Sequence, residues 1–98
     1  MPLVITQHRS TANPTIVCDW CHEPIATGTG GNYQWRNVPE GESSPMVFTH
    51  KRCCRAFEAA QGGHWCAIGL DWLLPFLANN LEVDVKQTLA TIRAYNRY

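Results

Sequence analysis

The chain has 98 residues, enough for one domain, and its eight basic and eight acidic residues give a formal net charge of zero. This balance provides no global positive field that would attract nucleic acid. No apolar run approaches the roughly 18 residues that a transmembrane helix needs, and residues 1–14 lack the basic and apolar segments of a signal peptide. We therefore expect a cytoplasmic protein whose five cysteines are metal ligands or free thiols rather than disulfide partners.

Charged residues make up only 16% of the chain, which also contains four Trp, three Tyr and three Phe residues. Typical globular domains contain about 25% charged residues. This composition indicates that some apolar surface serves to bind a partner, and a homodimer is the simplest such assembly. The alternative is a monomer with an aromatic-rich core.

The N-terminal residues 1–17 contain one short apolar run, 3–5, followed by a polar stretch over 7–14. We predict a strand or a loose arm and then a linker. The chain next reaches Cys18 and Cys21, which form a Cys-x-x-Cys pair.

A β-hairpin is predicted after the first cysteine pair. Residues 24–31 are rich in turn formers, and then Tyr33 and Trp35 alternate with polar neighbours, the period of a half-buried strand. Residues 46–48 form a second short apolar run, and the polar segment 37–45 between the two strands forms a long hairpin tip.

A helix is predicted over residues 50–60, with Thr49 as its N-cap and the glycines of 62–63 as its stop signal. His50 and Cys53 would then lie in the first turn, three residues apart and on one face. That placement lets both side chains reach one metal ion.

A second helix is predicted around residues 70–80, because leucines recur there at helical spacing and Trp72 and Phe76 cover a second face. A helix that is apolar on two faces lies either in the core or at an interface. Pro75 marks either its first turn or a kink. Residues 64–68 before it are a turn or a strand.

A third helix begins after Asp84, a candidate cap. Its apolar residues form one stripe at helical spacing. The stripe consists of Val85, Leu89, Ile92 and Tyr95. We expect both C-terminal helices to complete the core.

The most specific chemical pattern is a set of four metal-ligand residues: Cys18, Cys21, His50 and Cys53. Cys-x-x-Cys followed by His-x-x-Cys is a complete Cys3His set for one tetrahedral structural zinc ion per chain. The alternative is a group of buried thiols and a core histidine without metal.

Four other potential ligands, His22, Cys54, His64 and Cys66, do not complete a second set. We predict Cys53 rather than Cys54 as the ligand, because only Cys53 keeps the spacing from His50. A closed site leaves no coordination position for water or substrate, so we predict that the protein is not an enzyme.

A knuckle, a hairpin and a helix that share one metal resemble the treble-clef class of zinc fingers. The resemblance covers residues 18–60, and the order of the ligands also looks like the first half of a LIM-type module. The gap between Cys21 and His50 holds 28 residues and no second ligand set follows. The resemblance therefore implies the treble-clef geometry and ligation by the four residues, without membership of the LIM family.

Three functions are compatible with these features. The first is a protein-interaction or regulatory module that uses the apolar residues around Trp72 and Phe76, including self-association. The second, alternative function is nucleic-acid binding, for which a strong dependence of affinity on salt would be diagnostic. Its candidate contact residues are Arg36, Lys51, Arg52 and Arg55, with Tyr33 and Trp35 as stacking platforms.

The third function is thiol redox chemistry at Cys18 and Cys21. No thioredoxin-like βαβ pattern surrounds this pair, and the downstream His-x-x-Cys pair explains the same cysteines as zinc ligands.

We thus predict an α+β protein with three segments. These are an N-terminal arm or strand (1–17), a treble-clef-like zinc-binding module with a hairpin and a helix (18–62), and an extension of two helices (63–98) packed on the module as part of a single domain. We expect no membrane partner.

Overall fold

The computed structural model of the protein describes residues 3–8 and 11–95. Those residues form five β-strands and three α-helices, with three short 3-10 turns over Gly28–Gly30, Lys51–Cys53 and Leu70–Trp72. The α+β class is confirmed. The strands and helices are β1 (Leu3–His8), β2 (Thr11–Ile16), β3 (Gly31–Arg36), β4 (Val47–His50), α1 (Cys54–Gln61), β5 (Trp65–Gly69), α2 (Leu73–Asn80) and α3 (Val85–Ala94).

The N-terminal segment is a two-stranded antiparallel ribbon. β1 and β2 pair along their whole length, with Leu3 opposite Ile16 and Ile5 opposite Pro14. The predicted linker over residues 7–14 is therefore wrong for residues 7–8 and 11–14, which belong to the two strands, whereas residues 9–10 lie outside the described part of the chain. Its polar composition did not indicate a strand, because the ribbon gains backbone hydrogen bonds without burying an alternating apolar face.

The main sheet has three antiparallel strands in the order β4-β3-β5. β3 pairs with β4 from Gly31 opposite His50 to Gln34 opposite Val47, which confirms the predicted hairpin. β5 pairs with the other side of β3. Residues 64–68, for which a turn or a strand was predicted, therefore mostly belong to a strand at the edge of this sheet. This arrangement places the end of β4 beside the start of β3.

The structure corrects the predicted start of the first helix. Thr49 is not its N-cap: Thr49 and His50 belong to β4, and the 3-10 turn Lys51–Cys53 precedes α1. Pairing of β4 with β3 outweighs the helix-favouring composition of this segment. His50 and Cys53 consequently lie at a strand end and in a 3-10 turn rather than in the first turn of an α-helix.

Helix α1 ends where predicted and packs on the sheet. Gly62 has a φ of 69°, which favours glycine, and its N–H donates to the Glu58 carbonyl at 2.9 Å. The buried Phe57 ring meets Trp65 of β5 edge to face, with centroids 5.3 Å apart. This contact joins the helix to the edge strand of the sheet.

Among the described residues, one buried apolar cluster links the turn that follows β2, the main sheet and the start of α2. It consists of Cys18, Ile25, Tyr33, Cys53, Leu70 and Leu73. Two predicted metal ligands are thus members of the core itself.

The C-terminal helices differ from the prediction in their burial. Asp84 caps α3 as predicted, accepting from the N–H of Gln87 at 3.0 Å. The stripe of α3 is exposed, however, with Val85 49% and Tyr95 68% accessible, and no described residue of α3 is buried. The expectation that α3 completes the core is therefore wrong, and the single-domain arrangement stays a prediction. The buried cluster instead takes its C-terminal members from Leu70, in the 3-10 turn before α2, and from Leu73, in α2. It contains no described residue of α3.

A buried chain of hydrogen bonds connects the sheet to α1. The Thr49 hydroxyl donates to Oε1 of Gln34, and Nε2 of Gln34 donates to Oε2 of Glu58 at 3.1 Å. The Cys54 thiol donates to the same Glu58 oxygen at 2.9 Å. Because Gln34 and Thr49 are completely buried, each depends on the other for its hydrogen bonds.

We predict that Gln34→Met lowers the free energy of unfolding by about 2–4 kcal/mol, because it leaves the Thr49 hydroxyl and the Glu58 carboxylate without a buried partner. Urea unfolding would measure this change. Gln61→Met is the matched control at an exposed position of α1 and should have little effect; equal midpoints for both variants would contradict the prediction.

Candidate metal centre

Four side chains converge at the junction of the knuckle and β4. One ligand atom each of Cys18, Cys21, His50 and Cys53 lies within 4.8 Å of all the others. Nδ1 of His50 is 3.3 Å from Sγ of Cys21 and 4.0 Å from Sγ of Cys53. In a tetrahedral zinc site the nitrogen–sulfur separation is about 3.5 Å, from bonds of about 2.0 and 2.3 Å. These four residues can therefore hold a metal ion, as the sequence predicted.

The first two cysteines lie in a tight turn, the knuckle, that follows β2. The N–H of His22 donates to the Cys18 carbonyl at 3.0 Å, and the N–H of Cys18 donates to the Glu23 carbonyl at 2.9 Å. The Cys18 sulfur accepts from the N–H groups of Trp20 and Cys21 at 3.4 and 3.5 Å. The turn thus directs backbone donors at a sulfur atom, which stabilises its thiolate form.

The same sulfur joins the two halves of the site. The backbone N–H of His50 donates to Sγ of Cys18 at 3.4 Å, so β4 contacts the knuckle at the ligand itself. Burial alone would raise the pKa of the Cys18 thiol, but the N–H groups of Cys21, His50 and Trp20, together with the His50 side chain, outweigh burial and lower this pKa to about 6. Cys18 is therefore prepared for ligation as a thiolate.

A carbonyl group fixes the tautomer of His50. Nε2 of His50 lies 3.0 Å from the backbone oxygen of Pro24. A carbonyl oxygen can only accept, so Nε2 carries the hydrogen and Nδ1 keeps its lone pair. Nδ1 is the nitrogen that faces the sulfur atoms of Cys21 and Cys53. Outer hydrogen bonds of this kind orient metal-binding histidines.

Cys53 completes the set and has the opposite protonation preference. Burial raises the pKa of its thiol, and hydrogen bonding to Cys18 and Cys21 and their negative charge raise it further, to about 11. Three thiolates in so small a space repel one another unless a cation is present. A divalent metal ion would supply that positive charge and displace the proton of Cys53.

Asp19, inside the Cys-x-x-Cys pair, fastens the knuckle to β4. Its N–H donates to the Phe48 carbonyl at 2.7 Å, and its Oδ2 accepts from the Phe48 N–H at 2.8 Å. The roles of Asp19 and Pro24 were not predicted from the sequence. The position of Asp19 between two ligand cysteines offered a signal for the first, because aspartate side chains often bind backbone N–H groups. Nothing in the sequence pattern indicated the second.

The other potential ligands lie outside the cluster. The Cys54 thiol donates a hydrogen bond to Glu58, as described above. Burial raises the pKa of this thiol, and the Glu58 carboxylate raises it further. His22 and His64 are exposed, and Cys66 lies on β5 opposite Trp35. Among the described residues, the cluster therefore contains Cys53 and not Cys54.

The structure separates the predicted basic contact residues into two groups. Arg36, at the far end of β3 from His50, lies over the ring of Trp65 at 4.8 Å and donates to the Gln61 carbonyl. Lys51, Arg52 and Arg55 are exposed around the start of α1.

The predicted aromatic contact residues also divide by exposure. Tyr33 is only 7% exposed, so its ring is not available to stack on a base. Trp72 and Phe76 of the α2 region are 58% and 47% exposed. Their rings are thus accessible to a partner, whereas that of Tyr33 belongs to the core.

Comparison of the chain with protein-family models, curated proteins and solved structures gave no match. Among the described residues, no helix combines the length and apolar character needed to cross a bilayer. Function is therefore inferred from the metal centre and from the exposed surface.

We predict that His22→Gly raises the free energy of unfolding by about 0.5–1 kcal/mol, because His22 has a φ of 64°, where glycine is favoured over other residues. Metal content should not change. Urea unfolding of the metal-loaded protein would test the gain. Glu23→Gly, at the exposed neighbouring position, is the control and should destabilise the knuckle; loss of metal from His22→Gly would instead identify His22 as a ligand.

Proposed function

We propose that the protein is a zinc-binding interaction module. Cys18, Cys21, His50 and Cys53 hold one structural Zn²⁺, and the apolar surface around α2 binds another protein chain. The observation that carries the proposal is the convergence of the four ligand atoms within 4.8 Å.

The choice of zinc rests on the donor set. Three thiolates and one imidazole suit zinc, whereas magnesium and calcium prefer oxygen ligands. Four protein ligands complete a tetrahedron and leave no position for water or substrate. This arrangement supports a structural role and gives no support to zinc-dependent catalysis.

The position of the ligands in the fold also supports a structural role. The metal would join residues 18–21 to residues 50–53, which are separated by 28 residues of chain. Cys18 and Cys53 belong to the only large buried cluster in the described part of the chain. In a domain of this size, a metal that ties such a small core together contributes directly to folding.

The interaction surface is the exposed apolar part of the α2 region, which we call the α2 surface. It consists of Trp72, Leu74, Phe76, Leu77 and Leu81, which are between 40% and 72% exposed. Large apolar side chains exposed in such number on one short segment favour a protein-interaction site. Aromatic residues are enriched at the centres of such interfaces. A second copy of the chain is the simplest partner.

The zinc site predicts a sharp difference between cysteine variants. Native mass spectrometry should show one zinc ion per wild-type chain. Cys18→Ser and Cys53→Ser should lose the metal and unfold the sheet and knuckle, because each removes a ligand and a core side chain. Cys54→Ser and Cys66→Ser are matched controls that should keep zinc. A Cys18→Ser chain with unchanged melting, or a wild type without metal, would refute the structural zinc site.

Self-association predicts concentration-dependent sedimentation of the zinc-loaded chain. Trp72→Ser and Phe76→Ser should each weaken the dimer by about 1–2 kcal/mol or more, because aromatic residues at interface centres carry much of the binding energy. Leu3→Ser is the matched control, since Leu3 is 57% exposed but lies on the N-terminal ribbon. A wild type that stays monomeric at all concentrations would exclude a second copy as the partner.

A further inference from the structure

A small cavity of about 330 Å³ lies at one edge of the α2 surface, lined by Asp71, Trp72, Pro75 and Phe76. The rings of Trp72 and Phe76 are tilted by 50° with centroids 6.3 Å apart. Both rings are about half exposed, so a ligand can reach them. Faces of aromatic rings attract cations, and tryptophan does so most strongly.

Asp71 gives this cavity a negative charge. It is the only charged residue between His64 and Glu82, and no basic residue lines the cavity. The residues around the cavity therefore provide a carboxylate and two aromatic rings but no cation to pair with them. A cation from another molecule would complete the arrangement.

Gly69 provides the space for this carboxylate. A Cβ atom on Gly69 would lie 2.7 Å from Oδ1 of Asp71 and 4.0 Å from Cδ1 of Trp72. The φ of Gly69 is −54°, which other residues also adopt. A side chain at position 69 would therefore displace the Asp71 carboxylate, although the backbone conformation alone would admit it.

We propose that this cavity binds the ammonium group of a lysine side chain from a partner protein. The ammonium group lies between the Asp71 carboxylate and the ring faces, and the apolar stem of the lysine covers Trp72 and Phe76. This inference rests on the proposed function, because it specifies the chemistry of the partner that meets the α2 surface.

Lysine fits the cavity better than arginine. The ammonium group is a compact point charge, whereas the guanidinium group is larger and planar. The compact group suits a cavity lined by only four residues, in which Asp71 supplies the one carboxylate. A neutral apolar side chain would contact the same rings but leave the carboxylate without a partner.

The test uses the zinc-loaded full chain at a concentration where sedimentation shows a monomer. The probe is Nα-acetyl-lysine methylamide, whose side-chain ammonium group is free. It is titrated while the indole N–H signal of Trp72 and the amide signal of Gly69 are followed by NMR. Acetyl-norleucine methylamide, which has the same stem without the charge, is the matched probe. We expect the lysine probe to shift both signals and to bind at least about threefold more tightly, the effect of a cation–π contact at an exposed site.

Two variants of the protein test the proposed contacts. Asp71→Asn removes the charge and Gly69→Ala fills the space beside the carboxylate, and each should reduce the affinity for the lysine probe about threefold or more. Glu40→Gln removes an exposed charge outside the cavity and should leave the affinity unchanged. Unaltered zinc content and sheet amide signals would show that each variant is folded.

Four results would overturn the proposal. Equal affinities for the lysine and norleucine probes, or unchanged binding by Asp71→Asn, would make the cavity a purely apolar contact. Tighter binding of acetyl-arginine methylamide would assign a different cation. No shift with any probe would exclude the site. Zinc content and sedimentation test the proposed function and do not depend on binding of the probes. Failure of this inference is therefore distinguishable from failure of the proposed function.

Discussion

The structure depends on the contact between the Cys18 sulfur and the start of the His-x-x-Cys segment. Backbone N–H groups from both sides of the site, at Cys21 and His50, donate to this sulfur. Such hydrogen bonds require a thiolate acceptor for their full strength. The N-terminal ribbon leads into the knuckle, and β4 leads through a 3-10 turn into α1, so this contact joins the segments before and after the hairpin tip. The proposed zinc ion strengthens the same junction.

The candidate metal centre and the large exposed apolar side chains of the α2 region belong to different elements of the fold. Around the metal centre, outer hydrogen bonds from Pro24 and Asp19 hold the ligand-bearing segments in place. The apolar side chains available to a partner lie instead on the α2 region. In the proposed function, the metal supports the fold and the α2 surface contacts the partner. We therefore expect substitutions on α2 to weaken binding of a partner without loss of the metal.

The sequence predicted the ligand set and the hairpin because both depend on local rules. Cysteine and histidine spacing fixes which side chains can reach one ion, and strand alternation at Tyr33 and Trp35 identified β3. The start of α1 and the N-terminal ribbon were mispredicted, because strand pairing between distant segments outweighed local composition. The exposure of α3 also depends on long-range packing, which periodicity alone does not reveal.

The membership of Cys18 and Cys53 in the buried cluster has a consequence for the dynamics of the molecule. Because the same two side chains belong to the candidate metal centre and to the core, we expect these two parts to form one cooperative unit and to open together. Amide protons of the knuckle, β3 and β4 should therefore exchange with solvent at a common, slow rate. Those of α3, which has no buried residue, belong to a separate unit of low protection.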